Sequence, residues 1–160
     1  MTDDQAFEQW AVVVFRSEGV WQVAQLPLAT GEDLEGVVAA VRGQALGAFA
    51  LVDVADEYFV AVRHVAGGVR FLLSDVSASS EWELAAQVMD RLDLDLPQGA
   101  ALEDVWPVGD LTMFEDLGLP EVELGSLLSD LDAYADEMLS SLAQRLGFAD
   151  AFERAVEALV

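Results

Sequence analysis

The sequence predicts an α+β fold: a five-stranded, mainly antiparallel sheet in the order ββαβββα, followed by a small C-terminal helical unit. Three observations predict it. Segments rich in Val and aromatic residues crowd the first half, joined by links too short for any but antiparallel neighbours. Two stretches of helical period interrupt them, and from Asp110 onward the apolar residues recur only at helical spacing.

Trp10 to Arg16 and Val20 to Leu26 read as a hairpin turning through Ser17, Glu18 and Gly19, and Pro27 ends it. Leu34, Val37, Val38 and Val41 then fall at i, i+3, i+4 and i+7, one apolar stripe of a helix. Glu32 and Asp33 suit its positive N-terminal end, and Gly43 and Gly47 bracket its exit. Three strands follow, Ala48 to Val54, Tyr58 to Val65 and Val69 to Ser74, separated by Ala55-Asp56-Glu57 and Ala66-Gly67-Gly68. Ser80 and Glu83 have the spacing of a capping box, which starts a second helix with Trp82, Ala85, Met89 and Leu92 on its buried face.

Periodicity is lost from Asp93 to Trp106, where Pro97, Gly99 and four acids mark a connecting loop. Helical signals resume with Leu111, Phe114 and Leu117 closed by Gly118, then Leu124, Leu127, Leu128 and Leu131. Met138, Leu139, Leu142 and Leu146 closed by Gly147, and finally Phe152, Ala155, Val156 and Leu159, complete the set. The expected organisation is an α+β sheet domain over 1–92, an acidic connecting loop over 93–109, and a helical unit over 110–160 packed on the sheet domain.

Composition narrows function before any motif does. The 160 residues are 54% hydrophobic with a mean hydropathy of +0.34, enough apolar surface to close a core. Seven Arg stand against 30 Asp and Glu, a net charge of −23, and Lys, Asn, Ile and Cys do not occur. Such a surface repels nucleic-acid phosphates at long range, so direct nucleic-acid binding is not expected. Without cysteine, and with His64 as the single histidine, thiol chemistry and multi-histidine or Cys-ligated metal sites are out of reach. Acids occupy Met1 to Glu8 where a signal peptide has a positive region, and no apolar run reaches the ~20 residues that span a bilayer. The expected location is the cytoplasm, with no membrane association. Charge is uneven along the chain: residues 1–92 carry a net −9 and the shorter 93–160 a net −14.

Few residues invite a chemical reading. His64 shares a strand face with Val60 and Val62; as a general base it would pair with Asp75 or Asp53, but no recognisable nucleophile accompanies it, and a half-buried strand histidine is the better description. Arg70, Ser74 and Asp75 lie along and just beyond the fifth strand, where Ser74 and Asp75 could meet a ligand or satisfy backbone donors in the following turn. Asp93, Asp95 and Asp104 fail as a calcium loop, since Pro97 and Gln98 occupy positions that need a ligand and a glycine. Trp106-Pro107-Val108-Gly109-Asp110 is richer: Trp106 as a peg for the helical unit or an anchor for a partner, Pro107 stiffening the approach, Gly109 turning, and Asp110 capping the helix through Leu117. Gly67-Gly68 lacks the surroundings of a phosphate loop. No catalytic residue, metal site or cofactor is expected.

The chain resembles the bacterial tRNA adenosine deaminase-associated proteins, small acidic proteins typically encoded beside a tRNA adenosine deaminase. Gly19-Val20-Trp21, Arg63, Arg70 to Asp75, Trp82-Glu83-Leu84-Ala85, Trp106 to Asp110, Asp116-Leu117-Gly118 and Arg145 to Phe148 carry the resemblance in that order. It implies a non-catalytic accessory whose partner is a tRNA adenosine deaminase or a similar basic protein. A profilin-like or roadblock-like scaffold, dimerising or holding a small ligand or peptide, is the alternative suggested by the order ββαβββα. Trp106, Pro107, Gly109, Asp110, Arg70, Ser74 and Asp75 are the candidate interaction residues, and a homodimer is the candidate oligomer.

Overall fold

Short two- and three-residue turns organise the sheet. Glu18 and Gly19 both adopt positive φ (56° and 80°), the geometry that closes a hairpin without splaying its strands, and so join β1 (Gln9–Ser17) to β2 (Val20–Leu26). Helix α1 (Leu34–Arg42) then carries the chain across β1, and β3 (Phe49–Val54) pairs antiparallel on the far side of β1. β4 (Tyr58–Val65) and β5 (Gly68–Leu73) continue as a meander. The computed structural model describes residues 9–27, 33–94, 107–130 and 133–157, so Glu32, Asp95, Pro97, Gln98, Gly99, Asp104, Trp106, Leu131 and Leu159 of the sequence reading lie outside the described residues.

The sheet has six strands, in the order β2-β1-β3-β4-β5-β6, and not five. The sixth, β6 (Val108–Gly109), comes from the segment expected to be loop. It pairs with Leu73 and Leu72 of β5, too short to leave a period in the sequence. Its glycine is demanded by the pairing. Gly109 has φ 111°, and a Cβ there would stand 2.3 Å from the Phe71 carbonyl oxygen.

Alternation along the strands gives each face of the sheet its own core. On one face Ala50, Val52, Val60, Val62, Phe71 and Leu73 pack against Leu34, Val37, Val38 and Val41 of α1 and Leu84, Ala85, Val88 and Met89 of α2 (Glu83–Arg91). On the other, Val12, Val14, Phe49, Leu51, Phe59, Ala61 and Leu72 meet α3 (Glu121–Leu128), α4 (Ala135–Leu146) and α5 (Ala149–Glu157). Rings interlock across that second layer: Phe49 contacts Phe114, Phe148 and Trp21, while Phe152 contacts Phe148 and Trp10. Covering on both faces is why β3 is buried at every position and reads as an almost unbroken apolar run.

Two expected caps take another form. Ser80 makes no capping box with Glu83: its hydroxyl donates to the Ser77 carbonyl within a 3-10 turn, Val76–Ser80, and the extended residue before α2 is Trp82. Trp82 and Leu92, expected on the buried face of α2, are only half-buried, and Leu84 and Val88 take their place. Asp110 caps no helix through Leu117. Its carboxylate accepts from the Thr112 amide at 2.9 Å, and the chain turns before a 3-10 segment, Glu115–Leu117, that ends at Gly118 with φ 96°. Glycine closes α4 in the same left-handed conformation, at Gly147.

Asp53 is the acid in the β3 run. It lies fully buried on the helical-layer face, one Oδ accepting from the Asp56 amide at 2.9 Å and the other without a hydrogen-bond partner. Burial, then the neighbouring Asp56 carboxylate, pushes its pKa up to about 9. An acid raised in the folded state binds a proton that the unfolded chain has released, so its contribution to stability falls as pH rises from about 4 to about 9.

Two outcomes follow from this packing. Gly109→Ala loses about 2 kcal/mol or more of stability in urea denaturation, from the left-handed backbone and the clash with the Phe71 carbonyl together. Asp53→Asn raises the melting temperature at pH 8, at ~2–4 °C for each kcal/mol recovered, and the gain over the parent shrinks toward pH 5; an equal gain at both pH values contradicts the assignment.

Candidate interaction surface

The residues singled out in the sequence separate into two groups. Pro107, Gly109, Asp110 and Arg70 meet at the β5–β6 edge. The Asp110 amide donates to the Phe71 carbonyl at 2.9 Å, and its carboxylate stands 3.7 Å from the Arg70 guanidinium. Arg70 remains 61% exposed, free to reach solvent and partners. Ser74 and Asp75, at the other end of β5, are engaged within the fold. The Ser74 hydroxyl is buried and accepts from the Phe59 amide at 2.9 Å. Asp75 accepts from the amide and hydroxyl of Ser77 and so caps the 3-10 turn. Both therefore do the backbone work that their residue types favour in turns.

Arg63 is the residue that sequence reading did not single out as a site builder. It follows Phe59 and Ala61 on the helical-layer face of β4 and is only 5% exposed. Its Nε donates to the Gly47 carbonyl at 3.1 Å and Nη1 to the Met113 carbonyl at 2.5 Å. The Asp116 carboxylate accepts from Nη1 at 2.6 Å and from Nη2 at 2.9 Å, a bidentate pair. The hydrogen bonds from Arg63 hold the Asp116 carboxyl below its ordinary pKa. The available signal was the lone cation inside the run Tyr58 to Val65, since a buried charge must be ligated.

Arg63, His64, Arg70, Asp110, Thr112 and Asp116 border one open groove of about 550 Å³ at this end of the sheet. His64 Nδ1 lies 3.0 Å from the Gln44 carbonyl, while Asp53 belongs to the opposite sheet face and Asp75 is bound to Ser77. Neither acid serves His64 as an orienting partner. Among the described residues no group of three or more His, Asp or Glu is placed to hold a metal ion. Among the same residues no helix is long and apolar enough to cross a membrane.

Cations are largely spoken for. Arg91 pairs with Glu35 and Arg145 with Glu123, each at 2.6 Å, and Arg16 lies 4.4 Å above the Trp21 ring. The exposed carboxylates Glu115, Glu121, Asp136, Glu137, Asp150 and Glu153 have no such match in number, so the outer surface of the helical layer is strongly anionic.

The Arg63 cluster has a testable asymmetry. Arg63→Met leaves two carbonyls without their donor and costs about 1–3 kcal/mol. Asp116→Ala removes a carboxylate whose side chain is 66% exposed, so water takes its place at the guanidinium and the loss is about 1 kcal/mol or less, and adding it to Arg63→Met costs nothing further. Urea denaturation of the three variants reads this order directly.

A family model described as Rv3753c-like tRNA adenosine deaminase-associated protein matches residues 9–149. The chain is 38% identical over 153 residues to Protein Rv3753c of Mycobacterium tuberculosis, covering 94% of this chain and 88% of the relative. No solved structure matches it. Both the Arg63–Asp116 clip and the β5–β6 edge lie within the matched residues. The chain belongs to the family of Rv3753c-like tRNA adenosine deaminase-associated proteins.

Proposed function

We propose that this protein is a non-catalytic accessory of a tRNA adenosine deaminase, docking an acidic surface on a basic face of that enzyme and guiding, stabilising or restraining it. The description of the family supplies the class of partner. The observation that carries the mode of binding is the charge asymmetry: a net −23 overall, with a net −14 on residues 93–160. Arg145 and Arg154 are the only cations in that part of the chain, against 16 carboxylates, so the excess of acid there is large. Complementary charge speeds encounter and selects the partner, and screening weakens it.

The chemistry of the partner is not duplicated here. A zinc deaminase needs a ligand set of histidine and cysteine with a catalytic glutamate, and this chain has one histidine and no cysteine. Its contribution to editing is therefore made through contact with the enzyme. Basic enzymes that handle tRNA expose the Lys and Arg that bind phosphates. An anionic globule docked there competes with tRNA or orders the surface beside it.

Titration calorimetry of the purified protein into a tRNA adenosine deaminase from the same organism tests the reading. Binding at low ionic strength, weakening as salt is raised, is expected. No complex at either low or moderate ionic strength rejects it.

A further inference from the structure

The two edges of the sheet are built differently. β6 is two residues long, follows Pro107 and borders the Arg70–Asp110 pair, features that keep another strand from joining. β2 has seven residues, Val20–Leu26, and none is charged or proline in a chain that is 23% charged. Val20, Gln22 and Ala24 are exposed on the face away from the C-terminal helices. α5 lies on the other face, where Ala155 accepts a bond from the Gln25 side chain.

The register of the hairpin decides which backbone groups of β2 point outward. A two-residue turn closes on Ser17 and Val20, which therefore exchange both of their bonds, and so do Phe15–Gln22, Val13–Ala24 and Ala11–Leu26. The N–H and C=O groups of Trp21, Val23 and Gln25 face away from β1. Among the described residues no backbone bond to another element engages them.

We propose that β2 is a self-association edge, on which β2 of a second copy pairs antiparallel about a two-fold axis through Val23. Trp21, Val23 and Gln25 are symmetric about that point. Val23 of each copy then faces Val23 of the other, and Trp21 faces Gln25, so one register serves both molecules with every outward group paired. Two molecules of net charge −23 repel, and a strand free of charge is where they can meet with no carboxylate opposed to another along the ladder. Gln22 of one copy lies beside Ala24 of the other on the exposed face. The result is a sheet continuous across the dimer, and screening by salt strengthens it, the reverse of docking on a basic partner.

Sedimentation velocity of the full chain at low and high salt tests this independently of the deaminase. A dimer that grows with salt is expected, and a monomer at both overturns the proposal. Gln22→Glu with Ala24→Glu sets like charges opposite each other across the axis and raises the dissociation constant on the order of tenfold. Gln22→Glu with Ala24→Arg sets opposite charges there and restores the dimer. Both pairs of substitutions sit on exposed positions, and circular dichroism verifies that each variant is folded. A dimer indifferent to the sign of the charges lies elsewhere on the surface and equally overturns the assignment.

Discussion

A guanidinium in an apolar layer is tolerated only when its donors are ligated, and Arg63 is the point on which the C-terminal half of the fold is hung. Its ligands come from two directions. Gly47 arrives from the turn before β3, and Met113 and Asp116 from the chain just after β6. Once these are in place, Phe114 is held beneath the guanidinium and against Phe49, which begins the ring contacts that run on through Phe148 to Phe152. One charged side chain thus sets where the helical layer starts, and apolar packing extends it. Such a ligated charge contributes specificity of arrangement more than net stability, since an apolar residue of the same volume would avoid the desolvation cost.

The same economy of cations shapes the surface. Arg63, Arg70, Arg91 and Arg145 each face a carboxylate of the same chain. Exposed pairs of this kind contribute little to stability, on the order of 0–1 kcal/mol. The field outside the molecule is set by the net charge of −23, which seven arginines leave far from balanced. The grooves beside Arg63 and Arg70 are open to solvent.

How much of this was legible in the sequence depends on the length over which each signal is spread. The stripe Leu34, Val37, Val38, Val41 and the hairpin around Gly19 repeat a period over several residues and come out where expected. Val108–Gly109 is a strand because β5 offers it a partner and Gly109 can approach Phe71, facts that two residues cannot announce. Ser80 and Glu83 have the spacing of a cap, yet Asp75 caps a 3-10 turn that ends at Ser80, and the Ser80 hydroxyl donates to the Ser77 carbonyl within it. β3 and β4 are buried along most of their length because both faces of the sheet are covered, and the two charges embedded in them, Asp53 and Arg63, become meaningful only once that cover is known.

Those two charges stand at opposite ends of the same face, because Asp53 pairs with Phe59 near the β3–β4 turn and Arg63 pairs with Phe49 at the far end. The turn beside Asp53 receives the start of α4 through a bond from the Ala135 amide to the Asp56 carbonyl at 3.1 Å, and Asp136, its own pKa raised by burial and by Asp56, lies close by. The helical layer is therefore fastened at one end by an ion pair and at the other beside an acid that is neutral when docked. Their responses to pH are opposite. The Asp116 side of the fastening is fully present above the ordinary carboxylate pKa and is lost as acid titrates it below that value, whereas the Asp53 side weakens as pH rises toward about 9. The layer is held most firmly just above the ordinary carboxylate pKa, where Asp116 is already ionised and Asp53 has not begun to cost stability by holding its proton.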